Sequence, residues 1–261
     1  MKTRVISAVI ALLITIPLIL LGGIYFNALA LVLGLIGMWE LLRYTKIPEY
    51  MKYLGYIMYV VMFLFGYFNA GRVVLVNTCY LIIALFVCFI PLIFYHDDKV
   101  YNISDVFYLF SSILFISFVF SLFVFVRSRS LEVVFYLLLI TTMTDTFAYL
   151  IGRKFGKHKL IPSVSPNKTV EGFVGGLVFG TLIATLFYVF TIGKINIFVL
   201  ILMTMILSVA GQFGDLVFSS IKRHFKVKDF SNIMPGHGGI LDRLDSIIFV
   251  LLLYTLILLF I

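Results

Sequence analysis

The sequence predicts an all-α, polytopic integral membrane protein with about nine transmembrane helices. Of its 261 residues, 62% are hydrophobic and only 12% are charged, whereas soluble domains carry about 25% charged residues. The apolar residues fall into nine runs, each near the roughly 20 residues that a helix needs to cross a bilayer. The lysines and arginines concentrate between alternate runs, which is typical of a multi-pass protein.

The nine runs follow one another with short polar connections. The first comes after Lys2 and Arg4. It is long for a signal peptide and a second span follows at once, so we interpret it as a retained helix. Little more than Gly71 and Arg72 separates the third run from the fourth, which leaves counts of eight or ten open. The predicted spans cover residues 5–22, 25–42, 54–71, 73–95, 107–126, 131–151, 172–192, 196–218 and 245–261.

The basic residues predict the orientation of the chain. With nine spans and a cytoplasmic N-terminus, sixteen of the 20 lysines and arginines lie on the cytoplasmic side of the cell (inner) membrane. Loops 152–171 and 219–244 then both face the cytoplasm, because two spans separate them. The net charge of +8 follows from this bias and suits anionic membrane lipids. Nucleic acid is not expected as a partner, since the basic residues lie in short loops against the bilayer.

Acidic residues divide the sequence into two regions. Residues 1–130 are predicted to be a transmembrane scaffold, in which Glu40 forms an interfacial ion pair with Arg43 three residues later. Residues 131–261 instead place carboxylates within spans or at their ends, where an ionisable group is costly and indicates function. We therefore expect catalysis in residues 131–261. The carboxylates concerned are Asp145, Asp215, Asp242 and Asp245.

One face of the eighth span is predicted to bind a metal-associated phosphate. Helical spacing places Asp215, Ser219 and Lys222 on the same face. Gly211 lies on that face too and leaves room for another helix or a ligand. Asp215 and Lys222 are separated by a rise of about 10 Å, too far for a direct ion pair. A carboxylate that holds a cation, next to a hydroxyl and an amine, suits such a phosphate.

A second carboxylate pair is expected where the ninth span begins. Asp242 and Asp245 project from one side of the first turn if the helix starts near Leu241. Their mutual repulsion favours a cation beside them, and oxygen ligands of this type suit Mg²⁺. Arg243 is an alternative source of neutralisation. Acidic residues also favour helix N-termini for reasons of capping and dipole, so a structural role stays open.

The two cytoplasmic loops carry further candidate residues. The segment Pro235–Gly239 contains three glycines, which allow the backbone to approach an anion closely. Within it, His237 is a candidate proton carrier or phosphate ligand. Glu171 and Asp145 are candidates to join the metal-binding carboxylates. The candidate phosphate-binding residues are Ser165, Lys168, Ser219, Arg223, Lys228, Gly238, Gly239 and Arg243.

The seventh span contains two overlapping G-x-x-x-G steps, formed by Gly172, Gly176 and Gly180. This spacing is typical of close helix–helix packing, either within a subunit or between subunits. We interpret these glycines as structural.

The string from residue 219 to residue 245 resembles the signature of the CDP-diacylglycerol synthases, also called phosphatidate cytidylyltransferases. Segments around Asp145 and Lys168 are similar to the family as well, which extends the resemblance over residues 140–250. The first 130 residues resemble the family only in being apolar and multi-span, and Met234 stands where the family usually has Leu, Ile or Phe. The residues that carry the resemblance read Ser219-x-Ile221-Lys222-Arg223, Lys228-Asp229, Pro235, His237-Gly238-Gly239 and Asp242-Arg243-x-Asp245.

The resemblance implies that CTP and phosphatidate react to give CDP-diacylglycerol and pyrophosphate. It also implies Mg²⁺, with or without a second cation, and a homodimer in the membrane. Carried onto this sequence, the catalytic residues are Asp215, Lys222, His237, Asp242 and Asp245, of which the three aspartates bind the metal.

Two other functions compete with this interpretation. Carboxylates at membrane depth are common in ion-coupled transporters, but internal repeats, which many transporters show, are not evident here. A phosphotransferase acting on a polyprenyl phosphate would need much the same metal ligands. A non-catalytic scaffold would not need the charged cluster.

Overall fold

The computed structural model of the chain describes residues 2–68, 78–94, 100–193 and 195–259, with the backbone alone for residues 2–5, 66–68 and 78–80. The described residues form nine helices and one two-stranded sheet. The elements are α1 (Lys2–Leu21), α2 (Gly23–Leu42), α3 (Glu49–Phe68), α4 (Thr78–Phe94), α5 (Ile103–Arg129), α6 (Leu131–Phe155), β1 (Lys159–Ile161), β2 (Ser165–Thr169), α7 (Val170–Thr191), α8 (Ile197–His224) and α9 (Leu241–Leu258).

Five helices in the described part of the chain are long and apolar enough to cross a membrane, namely α2, α5, α6, α7 and α8. Shorter apolar helical stretches cover Ile6–Leu21 and Leu81–Phe94. The prediction of a polytopic helical membrane protein is therefore confirmed, whereas the count of nine spans is not. The predicted junction near Gly71 and Arg72 lies outside the described residues.

Two predicted loops contain more regular structure than expected. Loop 152–171 was predicted without strands, but β1 and β2 form an antiparallel hairpin in it. Loop 219–244 begins later than predicted, because α8 continues through Lys222 and Arg223 to His224. It also ends earlier than residue 244, because α9 begins at Leu241, which puts Asp242 and Asp245 at the start of the helix. The hairpin is the one departure from an all-α fold among the described residues.

The chain divides into two compact units. The first comprises Met1–Arg129 and Phe230–Leu241. Its central helix is α5, which packs on α2, α3 and α4. Leu109, Ile113 and Ile116 of α5 are fully buried. Arg127 donates to the carbonyl oxygens of Ile19 (2.6 Å) and Leu20 (2.9 Å), and so satisfies backbone acceptors at the end of α1.

The second unit comprises Ser130–Asp229 and Asp242–Ile261, and contains the hairpin and helices α6 to α8 with most of α9. Hydroxyl pairs join α6 to α8, because polar side chains between apolar helices need a partner. Tyr136 Oη lies 2.7 Å from Thr204 Oγ1, and Thr144 Oγ1 lies 2.8 Å from Ser208 Oγ. The rings of Phe147 and Phe179 stack at 4.9 Å between α6 and α7.

The G-x-x-x-G glycines of α7 pack against α6 of the same chain. A Cβ on Gly172 would lie 2.6 Å from the carbonyl oxygen of Ala148, and one on Gly176 would lie 2.6 Å from that of Thr144. A Cβ on Gly180 would lie 3.0 Å from Thr144 Cα. The prediction of close helix packing is confirmed, and the contact is within the chain.

Two glycines of α8 allow α9 to pack closely against α8. A Cβ on Gly214 would lie 2.6 Å from the carbonyl oxygen of Asp245, and one on Gly211 would lie 3.1 Å from Val250 Cγ2. The room predicted at Gly211 is therefore occupied by a helix. Because Asp215 follows Gly214 directly, this close approach places it beside the first turns of α9.

Replacing Gly176 by Val is expected to destabilise the pair formed by α6 and α7. The new side chain must displace backbone atoms, and such overpacking costs about 1–3 kcal/mol. Thermal unfolding of the purified protein in detergent measures the loss. Val178→Leu adds volume to the exposed side of the same helix, where Val178 is 55% exposed, and serves as the control. Equal midpoints for the two variants would contradict the packing role.

Candidate active site

A cavity of about 710 Å³ lies in the second unit, within the size range of small-molecule pockets. Side chains of α6, the hairpin, α8 and α9 line it. Its charged groups are of both signs. They are the acids Asp145, Asp215, Asp229, Asp242 and Asp245 and the bases Arg153, Lys159, Lys168, Lys222 and Arg243.

Asp215 forms an ion pair with the hairpin. Lys168 Nζ of β2 lies 2.6 Å from Asp215 Oδ2, and each side chain is 28% exposed. Ser219 Oγ, one turn further along α8, donates to Asp215 Oδ1 at 3.2 Å, which confirms that the two residues share a helix face. Asp215 is thus held by a loop lysine, a partner that sequence spacing did not identify.

Lys222 is paired with the first turn of α9. Its Nζ lies 2.7 Å from Asp242 Oδ1, and the two side chains are only 10% and 3% exposed. A buried ion pair of this kind is sensitive to the loss of either member, because the remaining charge cannot be solvated. As the helical rise predicted, Lys222 does not pair with Asp215 but spans from α8 to α9.

Three further charged groups, Asp145, Asp245 and Arg243, lie around the same cavity. Asp245 Oδ1 accepts a hydrogen bond of 2.7 Å from the backbone N–H of Ser246. The Asp245 carboxylate is repelled by those of Asp215 and Asp145 and attracted by Lys222. Asp145 is in turn repelled by Asp215 and attracted by Lys168 and Arg243. Three carboxylates from three helices therefore interact unfavourably around one space.

The oxygen-rich set fits a Mg²⁺ ion better than a structural metal centre. Among the described residues, no three His, Cys, Asp or Glu side chains are arranged to hold a metal by themselves. Mg²⁺ does not require such an arrangement, since it takes one or two carboxylates and completes its shell with water and substrate oxygens. Asp145, Asp215 and Asp245, whose mutual repulsion a cation would relieve, fit it on that ground.

Glu171 has a different environment from the other carboxylates. It accepts hydrogen bonds from the backbone N–H groups of Lys157 (3.1 Å) and His158 (3.2 Å), and its Oε1 lies 2.6 Å from His158 Nδ1. In this structure Glu171 closes the turn between α6 and β1. The adjacent Thr169 caps α7 by accepting from the N–H of Gly172 at 3.1 Å.

Several predicted phosphate ligands lie away from the cavity lining in the described part of the chain. Arg223 is exposed and donates to the carbonyl oxygens of Val227 (3.0 Å) and Val164 (3.4 Å). Lys228 is exposed. Ser165 pairs with Ile161 at the closed end of the hairpin. Of the eight candidate phosphate-binding residues of the two loops and α8, only Lys168 and Arg243 line the cavity, where Lys222 also lies.

The glycine-rich segment belongs to the first unit and folds into a tight turn. Met234 and Gly238 exchange backbone hydrogen bonds of 3.0 and 3.1 Å. Gly236 and Gly238 have φ angles of 77° and 84°, which non-glycine residues adopt only with strain. His237 Nδ1 lies 2.8 Å from Ser7 Oγ. The amide of Gly238 is thus already bonded within the turn.

Glu40 is the residue that sequence reasoning misinterpreted. The predicted ion pair with Arg43 is wrong, because the guanidinium of Arg43 stacks on the rings of Trp39 (4.4 Å) and Tyr44 (4.9 Å). Glu40 is fully buried and accepts hydrogen bonds from residues of the segment 231–241. Those donors lie about two hundred positions away, so no local pattern could reveal them.

Other lining residues were also missed, although some had a signal in the sequence. Gln212 is a polar residue in an apolar span, one turn before Asp215, and its amide donates to the carbonyl oxygen of Phe173 at 3.2 Å. Asp229 lies beside Lys228 in the signature string. Further polar lining residues that were missed are Arg153, Lys159 and Asn167.

The chain is similar to known proteins along its whole length. The model of the cytidylyltransferase family matches residues 2–261. Proteins named phosphatidate cytidylyltransferase from Staphylococcus haemolyticus and Staphylococcus epidermidis are each 39% identical, and each alignment covers 99% of both chains. The protein of that name from Staphylococcus aureus is 38% identical with the same coverage. The chain therefore belongs to the cytidylyltransferase family.

Proposed function

We propose that this chain is a membrane enzyme that converts CTP and phosphatidate into CDP-diacylglycerol and pyrophosphate. The observation that carries the proposal is the cavity in which Lys168, Lys222 and Arg243 lie among five aspartates. Such a site suits a polyanionic nucleotide that arrives with a cation. Family membership and the names of the similar staphylococcal proteins support the same reaction.

The proposed reaction is a nucleotidyl transfer. A phosphate oxygen of phosphatidate attacks the α-phosphorus of CTP, a new P–O bond forms, and the bond to the β-phosphate breaks to release pyrophosphate. A phosphate monoester is already nucleophilic near neutral pH, so no strong general base is needed. Positioning and charge neutralisation supply most of the catalysis in such transfers.

The aspartates are proposed to hold Mg²⁺. Asp215, Asp242 and Asp245 are the first candidates, and Asp145 joins them because it interacts with Asp215 and Asp245 in the same space. When bound, Mg²⁺ neutralises charge on the triphosphate. A second cation would fit the surplus of carboxylates. Glu171 is less suited, since His158 and two backbone amides already bind it.

We propose that the ammonium groups of two lysines exchange their aspartate partners for phosphate groups when the substrates bind. Lys168 pairs with Asp215, and Lys222 pairs with Asp242. If Asp215 and Asp242 held a cation, their oxygens would be shared with it and both ion pairs would be weaker. The ammonium groups are then free to donate to phosphate oxygens where negative charge develops. This exchange keeps Lys168, Lys222 and their aspartate partners neutralised both before and after the nucleotide binds.

Lys222 is assigned to the lipid substrate. It lies in the last turn of α8, a helix long and apolar enough to cross the membrane, and its stem can stay in apolar surroundings while the ammonium points to the interface. That position suits the phosphate of a lipid. We further propose a homodimer in the cell membrane with the N-terminus in the cytoplasm.

The competing functions receive less support. A transporter would use the same intramembrane carboxylates, and a phosphotransferase acting on a polyprenyl phosphate would use much the same metal ligands. Neither is favoured by the family match or by the names of the similar proteins. Purified protein assayed with labelled CTP and phosphatidate, with and without Mg²⁺, tests the proposal directly. Failure to form CDP-diacylglycerol both with and without Mg²⁺ would reject the proposed function.

Asp245→Asn is expected to abolish most activity while the protein stays folded. It removes a carboxylate that lies near Asp145 and Asp215, and loss of one group that stabilises charge in a transfer lowers kcat about a hundredfold or more. Initial rates over a Mg²⁺ titration measure the effect. Asp105→Asn, in the first turn of α5, is the matched control. Wild-type rates for Asp245→Asn at limiting Mg²⁺ would contradict the metal assignment.

Lys222→Ala is expected to raise the KM for phosphatidate about tenfold, the effect of losing one charged hydrogen bond, and to change the KM for CTP less. It also leaves Asp242 buried without this partner, a change that costs about 3–5 kcal/mol. The double variant Lys222→Ala with Asp242→Asn removes both charges, so it should regain stability without regaining activity. A larger effect on the KM for CTP would assign Lys222 to the nucleotide instead.

Cysteine labelling tests the proposed orientation. In a background with Cys79 and Cys88 replaced by Ser, Lys157→Cys and Lys226→Cys place thiols at exposed positions of the two loops. Both should react with an impermeant maleimide only after the cells are permeabilised. Arg129→Cys, predicted to lie outside, should react in intact cells. The reverse pattern would place CTP on the wrong side of the membrane for this reaction.

A further inference from the structure

The carboxylate of Glu40 binds both ends of the segment 231–241, which contains the glycine-rich turn. Its Oε1 accepts hydrogen bonds from Ser231 Oγ (2.6 Å) and from the backbone N–H of Ile240 (2.8 Å). Its Oε2 accepts from the backbone N–H of Leu241 at 2.8 Å. One side chain of α2 thus gathers residues at the start and at the end of the segment 231–241.

The glycine at position 239 makes room for this carboxylate. A Cβ on Gly239 would collide with Glu40 Oε1 and would lie 2.8 Å from Ser231 Oγ. The backbone of the signature motif therefore passes directly over the Glu40 carboxylate. This close approach gives a structural reason for glycine at position 239 that is independent of substrate binding.

Glu40 also caps α9 from outside that helix. Leu241 is the first residue of α9 and Ile240 precedes it, so the two amides bound by Glu40 are among those that a helix leaves without an internal partner. A negative charge at this end also interacts favourably with the helix dipole. Asp242 is the next residue of α9, and Asp245 follows within the first turn and a half.

We propose that Glu40 is a positioning residue that sets the start of α9 and thereby the placement of Asp242 and Asp245. Full burial of a carboxylate is costly unless donors surround it, and here the donors are the amides whose position matters for the site. The role of the two aspartates rests on the proposed function, whereas the capping of α9 by Glu40 does not.

The test compares Glu40→Gln with Glu132→Gln in the purified enzyme. Gln keeps a carbonyl oxygen for Ser231 and Ile240 but replaces the acceptor for Leu241 with an NH₂ group. Glu132 is exposed in the first turn of α6 and provides the same substitution at a helix start outside the site. Rates are expressed per folded protein, so that a loss of folded material does not count as a loss of activity.

For Glu40→Gln we expect kcat at saturating substrates to fall about tenfold to a hundredfold, as for a small misplacement of reacting groups. Amide hydrogen exchange at Ile240 and Leu241 should become faster, and half-maximal rate should require more Mg²⁺. Ser231→Ala removes one donor but leaves both amide contacts, so it should change kcat much less than Glu40→Gln. Glu132→Gln should match the wild type.

Unchanged kcat and exchange in Glu40→Gln would overturn the proposal, as would equal effects of Glu40→Gln and Ser231→Ala. If Glu40→Gln does not fold, Glu40→Asp, which keeps the charge on a shorter side chain, is measured in the same way. If neither variant folds, Glu40 is needed for folding and the positioning role is rejected. If the wild-type enzyme is active without Mg²⁺, only the proposed metal role is refuted. The role of Glu40 is then still decided by kcat and by amide hydrogen exchange at Ile240 and Leu241.

Discussion

Carboxylates enclosed by apolar helices need a cation or N–H donors beside them, because the water that would solvate them is excluded. Both units of this chain meet that requirement. In the second unit, Lys168 and Lys222 neutralise Asp215 and Asp242. In the first, the buried Glu40 is bound by a hydroxyl and two backbone amides. The positions of the helix ends and loops depend on these contacts.

The same requirement makes the cavity suitable for nucleotidyl transfer. The Lys–Asp ion pairs are stable without a ligand. Each member can nevertheless exchange its partner for a ligand group that carries the same charge as that partner. A triphosphate with its cation brings both signs at once, so carboxylates and ammonium groups can each change partner without leaving a charge exposed to an apolar environment. Asp145 and Asp245 add negative charge that the lysines do not balance, which favours a cation at this place.

Glycines determine how near the charged side chains come. Gly172, Gly176 and Gly180 let α7 pack directly on α6, and Gly214 lets α8 approach the backbone of α9 at Asp245. Gly214 has no side chain to hold α9 away from α8. Because Asp215 follows Gly214 directly, the close approach of the two helices brings the Asp215 carboxylate next to α9. Small residues at helix interfaces are a general means of packing in membranes; here they also bring carboxylates from three helices around one cavity.

Sequence alone determined the features that depend on local periodicity and composition. These include the apolar helices, the shared face of Asp215 and Ser219 and the packing role of the α7 glycines. Only the tertiary structure decided which charges are partners. Lys222 and Asp242 are 20 positions apart and Glu40 and Ile240 are 200 apart. Helical spacing defines faces but not neighbours, and the energy of a buried charge depends on its neighbours.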